Sequence, residues 1–428
     1  MKKRWSRREF LVISTVTGMG LALGGCNALS GEGRVIRIGY ISPVSGPLAD
    51  FAQGDGYVVK RIRDFLAEGI QIGNKTHPVE IIMADSESNP ELAGELAIQL
   101  INEQNVDIML AMSTPETTNP VADVCEVNQI PCITSLTPWQ PWYFRTQVPP
   151  TGYKWTYHFM WGLEDVIQVY LSIWESLATN KVVGAMWPND SDGIAWSDPD
   201  LGFPNAMIGR GFRLIDAGRY ENLTADFGPQ IDMFMEAGVE ILTGVMLPPD
   251  LANFLVQADE RGFRPKVVTV GKAALFPSSI AAIPNGLGEG LTSEIWWHPN
   301  HPFTSSLTGF TARELSSVYE ADTGQQSIQA LGFAHAMFEV VVDVLQRTAD
   351  IEDKETIVKS IQETSLDTII GTISWQNGPT PNVSKTPVVG GQWRAGSVFP
   401  WELVVTNNSE APMIDVTGEV VVMPKATS

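Results

Sequence analysis

Two short clusters of hydroxyl-bearing residues, Ser113-Thr114 and Thr134-Ser135-Leu136-Thr137, each follow an apolar run of strand type. Hydroxyls and free backbone N–H groups at such strand ends can hold a carboxylate or amide oxygen. Ser113, Thr114, Ser135 and Thr137 are therefore candidate ligand contacts, since binding groups concentrate on loops held by a rigid scaffold. The same residue types also turn and cap the backbone with no ligand involved. Trp is abundant, 13 in all, and Trp139, Trp142, Trp187, Trp196, Trp296 and Trp297 fall at or near strand ends. Indole walls suit an apolar or aromatic ligand body and can hold a cation on their faces, although they also pack cores. Trp296 is the pocket candidate among them.

Catalytic patterns are missing. His298-Pro299-Asn300-His301 has no Cys, Asp or Glu at ligand spacing, so no metal is expected there. Gly286 to Gly290 lacks the following helix and the later acidic residue of a nucleotide loop. Neither a P-loop, a G-x-S-x-G elbow nor an H-E-x-x-H pair occurs, which points away from an enzyme and from any cofactor. Cys125 lies in a helical stretch and Cys132 in an apolar strand. Outside the cytoplasm the two can be bridged; as free thiols they would be buried in the core.

The elements that must position these groups alternate between two periods. Val35 to Ile41 reads as a strand running into the Ser45-Gly46-Pro47 turn, and Val58, Ile62, Phe65 and Leu66 form a helical stripe that stops at Gly69. Val79 to Ala84, Val106 to Met112 and Ile130 to Thr134 are further strands, with Asn89-Pro90-Glu91 opening a helix between the first two. After the Pro- and Trp-rich stretch 138–142 the alternation resumes. Val182 to Trp187, Phe212 to Ala217, Glu240 to Leu247, Lys266 to Val270 and Gly290 to Trp297 read as strands, and Gln230 to Ala237 and Leu251 to Arg261 as helices. Helical patterns return over Ser305 to Ala321, Ile328 to Leu345 and Lys354 to Glu363, followed by short strands. This order predicts an α/β chain with two doubly wound parallel-sheet lobes.

The 428 residues carry 28 Lys+Arg against 49 Asp+Glu, a net charge of -21. Such an excess of acid excludes a sequence-independent grip on nucleic acid, which needs cations on phosphates. Residues 1 to 25 combine a basic head with an apolar stretch from Phe10 to Leu23, which is an export signal. Ser6-Arg7-Arg8-Glu9-Phe10-Leu11 resembles a twin-arginine signal, and Leu23-Gly24-Gly25-Cys26 resembles a lipobox in which Cys26 is diacylated. Lipidation at Cys26 would hold the protein at a membrane face, on the periplasmic or outer side.

The chain from 34 to 400 resembles the type I periplasmic binding proteins, in the branched-chain amino acid receptor branch of ABC importers. The residues that carry this are Ile38-Gly39-Tyr40 with Ser45-Gly46-Pro47, Asp85 through Pro90, Ser113-Thr114, Thr134-Ser135, Tyr143 to Thr146, Thr224 to Phe227 and Gly286 through Leu291. The resemblance implies two lobes joined by three crossovers, placed near Arg145, Trp296 and Trp375, with one ligand in the cleft between them. The expected layout is a signal peptide at 1–25, a lipidated linker at 26–33, lobe I at 34–145 plus 298–374, and lobe II at 146–297 plus 375–428.

It also implies a monomer that captures a small amino acid, amide or aromatic carboxylate by hinge closure and delivers it to ABC permease and ATPase subunits. A sensor of the same fold is the alternative, and an exported hydrolase the remote one. Phe51 falls where the family places an aromatic over the ligand. Asn189 to Gly193 matches the cleft-lining segment of the second lobe, with Asp192 where an aromatic is usual. Family members that bind amino acids pair the ammonium with a carboxylate at about the position of Lys272, and a Lys there would repel it. Asp190, Asp192 or Asp250 is left to supply that charge.

Overall fold

The computed structural model describes residues 31–424; the export signal expected at 1–25 and the lipidation expected at Cys26 lie outside the described residues. Among the described residues no helix is long and apolar enough to cross a membrane. Residues 31 and 32, expected in the linker, already pair with Lys75 and Thr76 in a small sheet.

The first lobe is built on strands β1 (Ile36–Ser42), β2 (Val79–Asp85), β3 (Ile108–Met112), β4 (Cys132–Ser135) and β5 (Thr156–Phe159). The second is built on β6 (Val182–Pro188), β7 (Arg213–Tyr220), β8 (Ile241–Val245), β9 (Val267–Gly271) and β10 (Thr292–Ile295). The chain then returns to the first sheet at β11 (Val383–Ser384) and finishes in the second with β12 (Val389–Ala395) and β13 (Trp401–Asn407). The first sheet runs β11-β5-β4-β3-β1-β2 and is parallel throughout. The second runs β7-β6-β8-β9-β10-β12-β13, with its last two strands antiparallel.

Sequence chemistry explains these elements locally. Ile-Met-Leu-Ala-Met of β3 is buried at every position, the continuous apolar run of a strand covered on both faces. The helix Pro90–Asn102 starts where Asn89 accepts the Leu92 N–H and Pro90 occupies the first turn, and it buries Ala93, Ala97 and Leu100. Helix α1 (Pro115–Val127) likewise opens with a proline, directly after Ser113-Thr114. The helix Gln329–Arg347 is buried on nearly all sides and forms the middle of the first lobe's core.

The crossovers differ from expectation at two of three places. Thr156–Phe159 was not recognised as a strand, yet it pairs in parallel with Cys132–Ser135, so the chain stays in the first lobe past Arg145. Arg145 is a packing residue: its guanidinium lies 4.5 Å from the Trp142 ring and 4.0 Å from the Tyr153 ring and is paired to Asp123 at 2.7 Å. The first crossing follows Phe159 and leads into the helix Leu163–Glu175, which was also not anticipated. Trp375 likewise belongs to the first lobe, where its indole donates to the His158 carbonyl, and the third crossing lies between β11 and β12. The second falls at Trp296-Trp297, directly after β10. Residues 305–311, expected to be helical, form a turn, and that helix begins after a capping box of Thr311 and Glu314. Cys125 and Cys132 are both free, buried thiols in contact in the first-lobe core, so no bridge joins them here.

Candidate functional site

A small cavity lies where the carboxyl ends of both sheets face each other, the place where open α/β sheets bind ligands. The first lobe contributes Phe51, Thr114, Pro115, Leu136 and Pro138, and the first crossing adds Met160 and Trp161. The second lobe contributes Asp192, Trp196, Val245, Lys272, Leu275 and Glu294, and the second crossing adds Trp296. A second cavity, between Tyr57, Ile62, Phe65, Leu315, Val318 and His335, is lined wholly by first-lobe residues.

The first-lobe wall divides its hydroxyls into two kinds. Ser135 Oγ donates to the Phe159 carbonyl at 2.6 Å, and Thr137 Oγ1 donates to the Ser113 carbonyl at 2.9 Å. Both candidates are thus engaged in tying neighbouring strand ends together. Ser113 Oγ and Thr114 Oγ1 are buried and have no partner. They sit at the start of α1, where the helix begins and its N–H groups point outward. Three indoles on the cavity, Trp161, Trp196 and Trp296, are also buried with their Nε1–H groups unpartnered. A buried donor without an acceptor costs about 1–3 kcal/mol, which a ligand oxygen would recover.

On the second-lobe wall the polar groups are charged and mutually engaged. Lys272 Nζ lies 2.9 Å from Asp192, 3.5 Å from Glu116 and 3.8 Å from Asp190. Burial pulls its ammonium down, but Asp192, Glu116 and Asp190 outweigh that and hold it above the ordinary lysine range. Burial pushes the Asp192 carboxyl up, to about 7, against the pull of Lys272. Asp190 caps the short helix Ser191–Trp196 by accepting the Gly193 N–H, and its other oxygen takes the Asn222 amide. Glu294 accepts from Tyr170 and Ser293, and burial raises it. Asp250, raised to about 6 by burial, accepts the Leu223 N–H and does not line the cavity.

Local backbone geometry fixes Lys272. It follows β9 in a three-residue turn closed by Ala273 N–H to the Gly271 carbonyl at 2.7 Å, with φ of 68°. A lysine in this left-handed region is strained, and such strain persists only where surroundings enforce it. Gly271 is required for another reason: a Cβ there would meet Trp196 Cη2 at 2.4 Å.

The model for the periplasmic binding protein family matches residues 35–394. The chain belongs to that family. No curated protein matches this periplasmic binding protein in sequence. Among solved structures, a leucine binding protein LivK from Thermotoga maritima superposes with a TM-score of 0.73 at 19% identity, covering 87% of this chain and 99% of that one. LivJ from Streptococcus pneumoniae, solved with isoleucine, gives 0.69 at 13%, with coverages of 87% and 99%. An ABC transporter substrate-binding protein from Sphaerobacter thermophilus gives 0.69 at 17%, with 90% and 99%. At these identities the likeness is one of fold.

The lobes of this periplasmic binding protein touch across the cleft. Beside the Lys272–Glu116 pair, Ser279 Oγ donates to Asp50 at 2.8 Å, and Phe51 meets Phe276 edge-on with centroids 4.9 Å apart. Gln329 accepts the Trp296 N–H at 2.7 Å and donates to the Leu275 and Glu294 carbonyls. Thus Phe51, Thr114, Asp192, Lys272 and Trp296 come together at the cavity, Ser113 adjoins it, and Ser135, Thr137 and Asp190 serve the framework. Sequence reasoning passed over Glu116, Trp161 and Glu294. Each left a trace: an acid in the first turn after Ser113-Thr114, an indole ending an aromatic run, and a lone charge inside a buried strand.

Proposed function

We propose that this protein is the extracytoplasmic receptor of an ABC importer, holding one small molecule in the cavity between its lobes and handing it to the permease. The observation carrying this reading is the set of four unpartnered donors on the cavity wall, Thr114 Oγ1 and the indoles of Trp161, Trp196 and Trp296. Their geometry supports a ligand with oxygen acceptors on an apolar or aromatic body: an amino acid, amide or aromatic carboxylate. Both walls belong to different lobes, so ligand contact favours closure, and the closed pair is the shape a membrane partner would recognise. Lipidation at Cys26 would keep the receptor beside that partner. The residues identified act by binding and hinge closure, with no chemical step.

The test is a thermal-shift panel of amino acids, amides and aromatic acids on the purified protein, followed by uptake measurements in cells with and without the gene. A ligand at a thousand times its Kd stabilises the native state by about 4 kcal/mol. The reading requires such a shift and loss of uptake of the same compound on deletion. A compound that shifts the melt while uptake is unchanged would favour a sensor of the same fold.

A further inference from the structure

The chain passes between the lobes at three crossings, so groups that tie the crossings together set the angle at which the lobes meet. Lys385, on the third crossing, pairs with Glu164 at 2.9 Å and with Asp165 at 2.7 Å. Both acids lie in the first turn of the helix Leu163–Glu175, which opens the second lobe directly after the first crossing. The same Glu164 carboxylate reaches the first lobe, where it accepts the Trp139 indole N–H at 3.0 Å and the Gln140 amide. Gln140 in turn accepts the Leu163 N–H at 2.8 Å, and the Trp139 backbone N–H donates to the Trp161 carbonyl at 3.2 Å. Gly162 leaves room for this approach, since a Cβ there would collide with the Trp139 indole and the Glu164 carboxylate. Trp161, which lines the cavity, is thereby held between the two lobes.

We propose that Glu164 and Lys385 form a hinge clamp that joins the first lobe, the second lobe and the third crossing at one carboxylate and holds the lobes at the angle that closes the cleft. This rests on hinge closure in the receptor reading above and adds what sets it. The two are positioning residues: neither lines the cavity, and they act on a ligand through Trp161 and through the lobe angle. Their side chains are 44% and 35% exposed, so the pair is a modest tie that can yield as the lobes open.

The experiment is small-angle scattering of the purified, ligand-free protein beside Lys385→Met, Glu164→Gln and Gly162→Ala, with a thermal melt of each. Lys385→Met removes the cation, Glu164→Gln keeps the shape of the clamp without its charge, and Gly162→Ala pushes Trp139 away while both charges stay. Lys385→Met raises the radius of gyration most, with the ratio of closed to open molecules falling about fivefold, the value of a partly exposed ion pair. The other two variants move it in the same direction. A merely structural role would lower the melting temperatures and leave the scattering of folded variants unchanged, and that result would overturn the inference. If Lys385→Met or Gly162→Ala does not fold, the near-isosteric Glu164→Gln decides alone. Scattering is read without ligand, so a failure here leaves the receptor reading standing, and that reading fails separately in the melt and uptake measurements above.

Discussion

The two walls of the cleft solve the problem of buried polar groups in opposite ways. On the first lobe, Ser113 and Thr114 leave hydroxyls open, and indoles at the crossings (Trp161, Trp296) and on the second lobe (Trp196) likewise leave N–H groups open. On the second, Lys272, Asp192 and Glu294 are charged or chargeable groups that satisfy one another or their neighbours. An open neutral donor is cheap enough to tolerate until a ligand arrives, whereas an open buried charge is not. The difference teaches where to look for ligand contacts: among the open neutral donors first.

The comparison breaks most readily at Lys272. Lys272→Met leaves Asp192 buried without its cation and should destabilise the protein by about 3–5 kcal/mol in denaturant unfolding. The double change Lys272→Met with Asp192→Leu should recover most of that loss. A cost below about 1 kcal/mol would mean the pair behaves as an exposed one.

On the neutral wall the hydroxyls should separate by function. Thr114→Val should leave the ligand-free stability unchanged or slightly raised, since its hydroxyl has no partner, and should weaken ligand binding about tenfold. Ser135→Ala should do the reverse, costing about 1 kcal/mol of stability with affinity kept, because its hydroxyl is spent on Phe159. Parallel melts and titrations of the two variants would expose any failure of that division.

Acidity probes the charged wall more gently. Asp192 is raised to about 7 in the folded state, with Lys272, Glu116 and Asp190 facing it. Burial holds the folded carboxyl above its unfolded value, so ionising Asp192 into its pair with Lys272 lowers stability as pH rises from about 4 through 7. Relative to Asp192→Asn, wild type should lose ground over that window, read as a narrowing difference between their melting temperatures. The smallest effect should come from Glu116→Gln, whose partner lies at 3.5 Å and whose side chain is 20% exposed. It should change stability by less than about 1 kcal/mol and ease opening of the lobes, seen as a larger radius of gyration in solution scattering without ligand.

Much of this was legible in the residues. The alternation from Val35 to Val270 named most of the strands, because apolar runs bounded by turn residues carry their own signal. Thr156–Phe159 escaped because it follows the Pro- and Trp-rich stretch and carries His158, whose burial depends on partners far along the chain: its ring nitrogens meet Thr134 and the Thr137 carbonyl. The misplaced crossovers follow from that one strand and from β11, only two residues long. For the site, Thr114, Asp192, Lys272 and Trp296 were visible as residue types at strand ends. What could not be read was which hydroxyls are spent, because Ser135 and Thr137 are consumed by carbonyls on neighbouring segments. Nor could the pairing of Lys272 with Asp192, 80 residues apart, be seen before the fold joined them.

The most direct test of the central claim is the indole N–H region of an amide-type NMR spectrum, recorded on protein with 15N-labelled Trp before and after a ligand that raises the melting temperature. Trp174 and Trp393 are internal controls, since their indoles already donate to Thr269 and to the Ala274 carbonyl. The account predicts that the Trp161, Trp196 and Trp296 signals move downfield as they gain acceptors, while the two controls stay. Movement confined to the controls, or to indoles remote from the cleft, would contradict it.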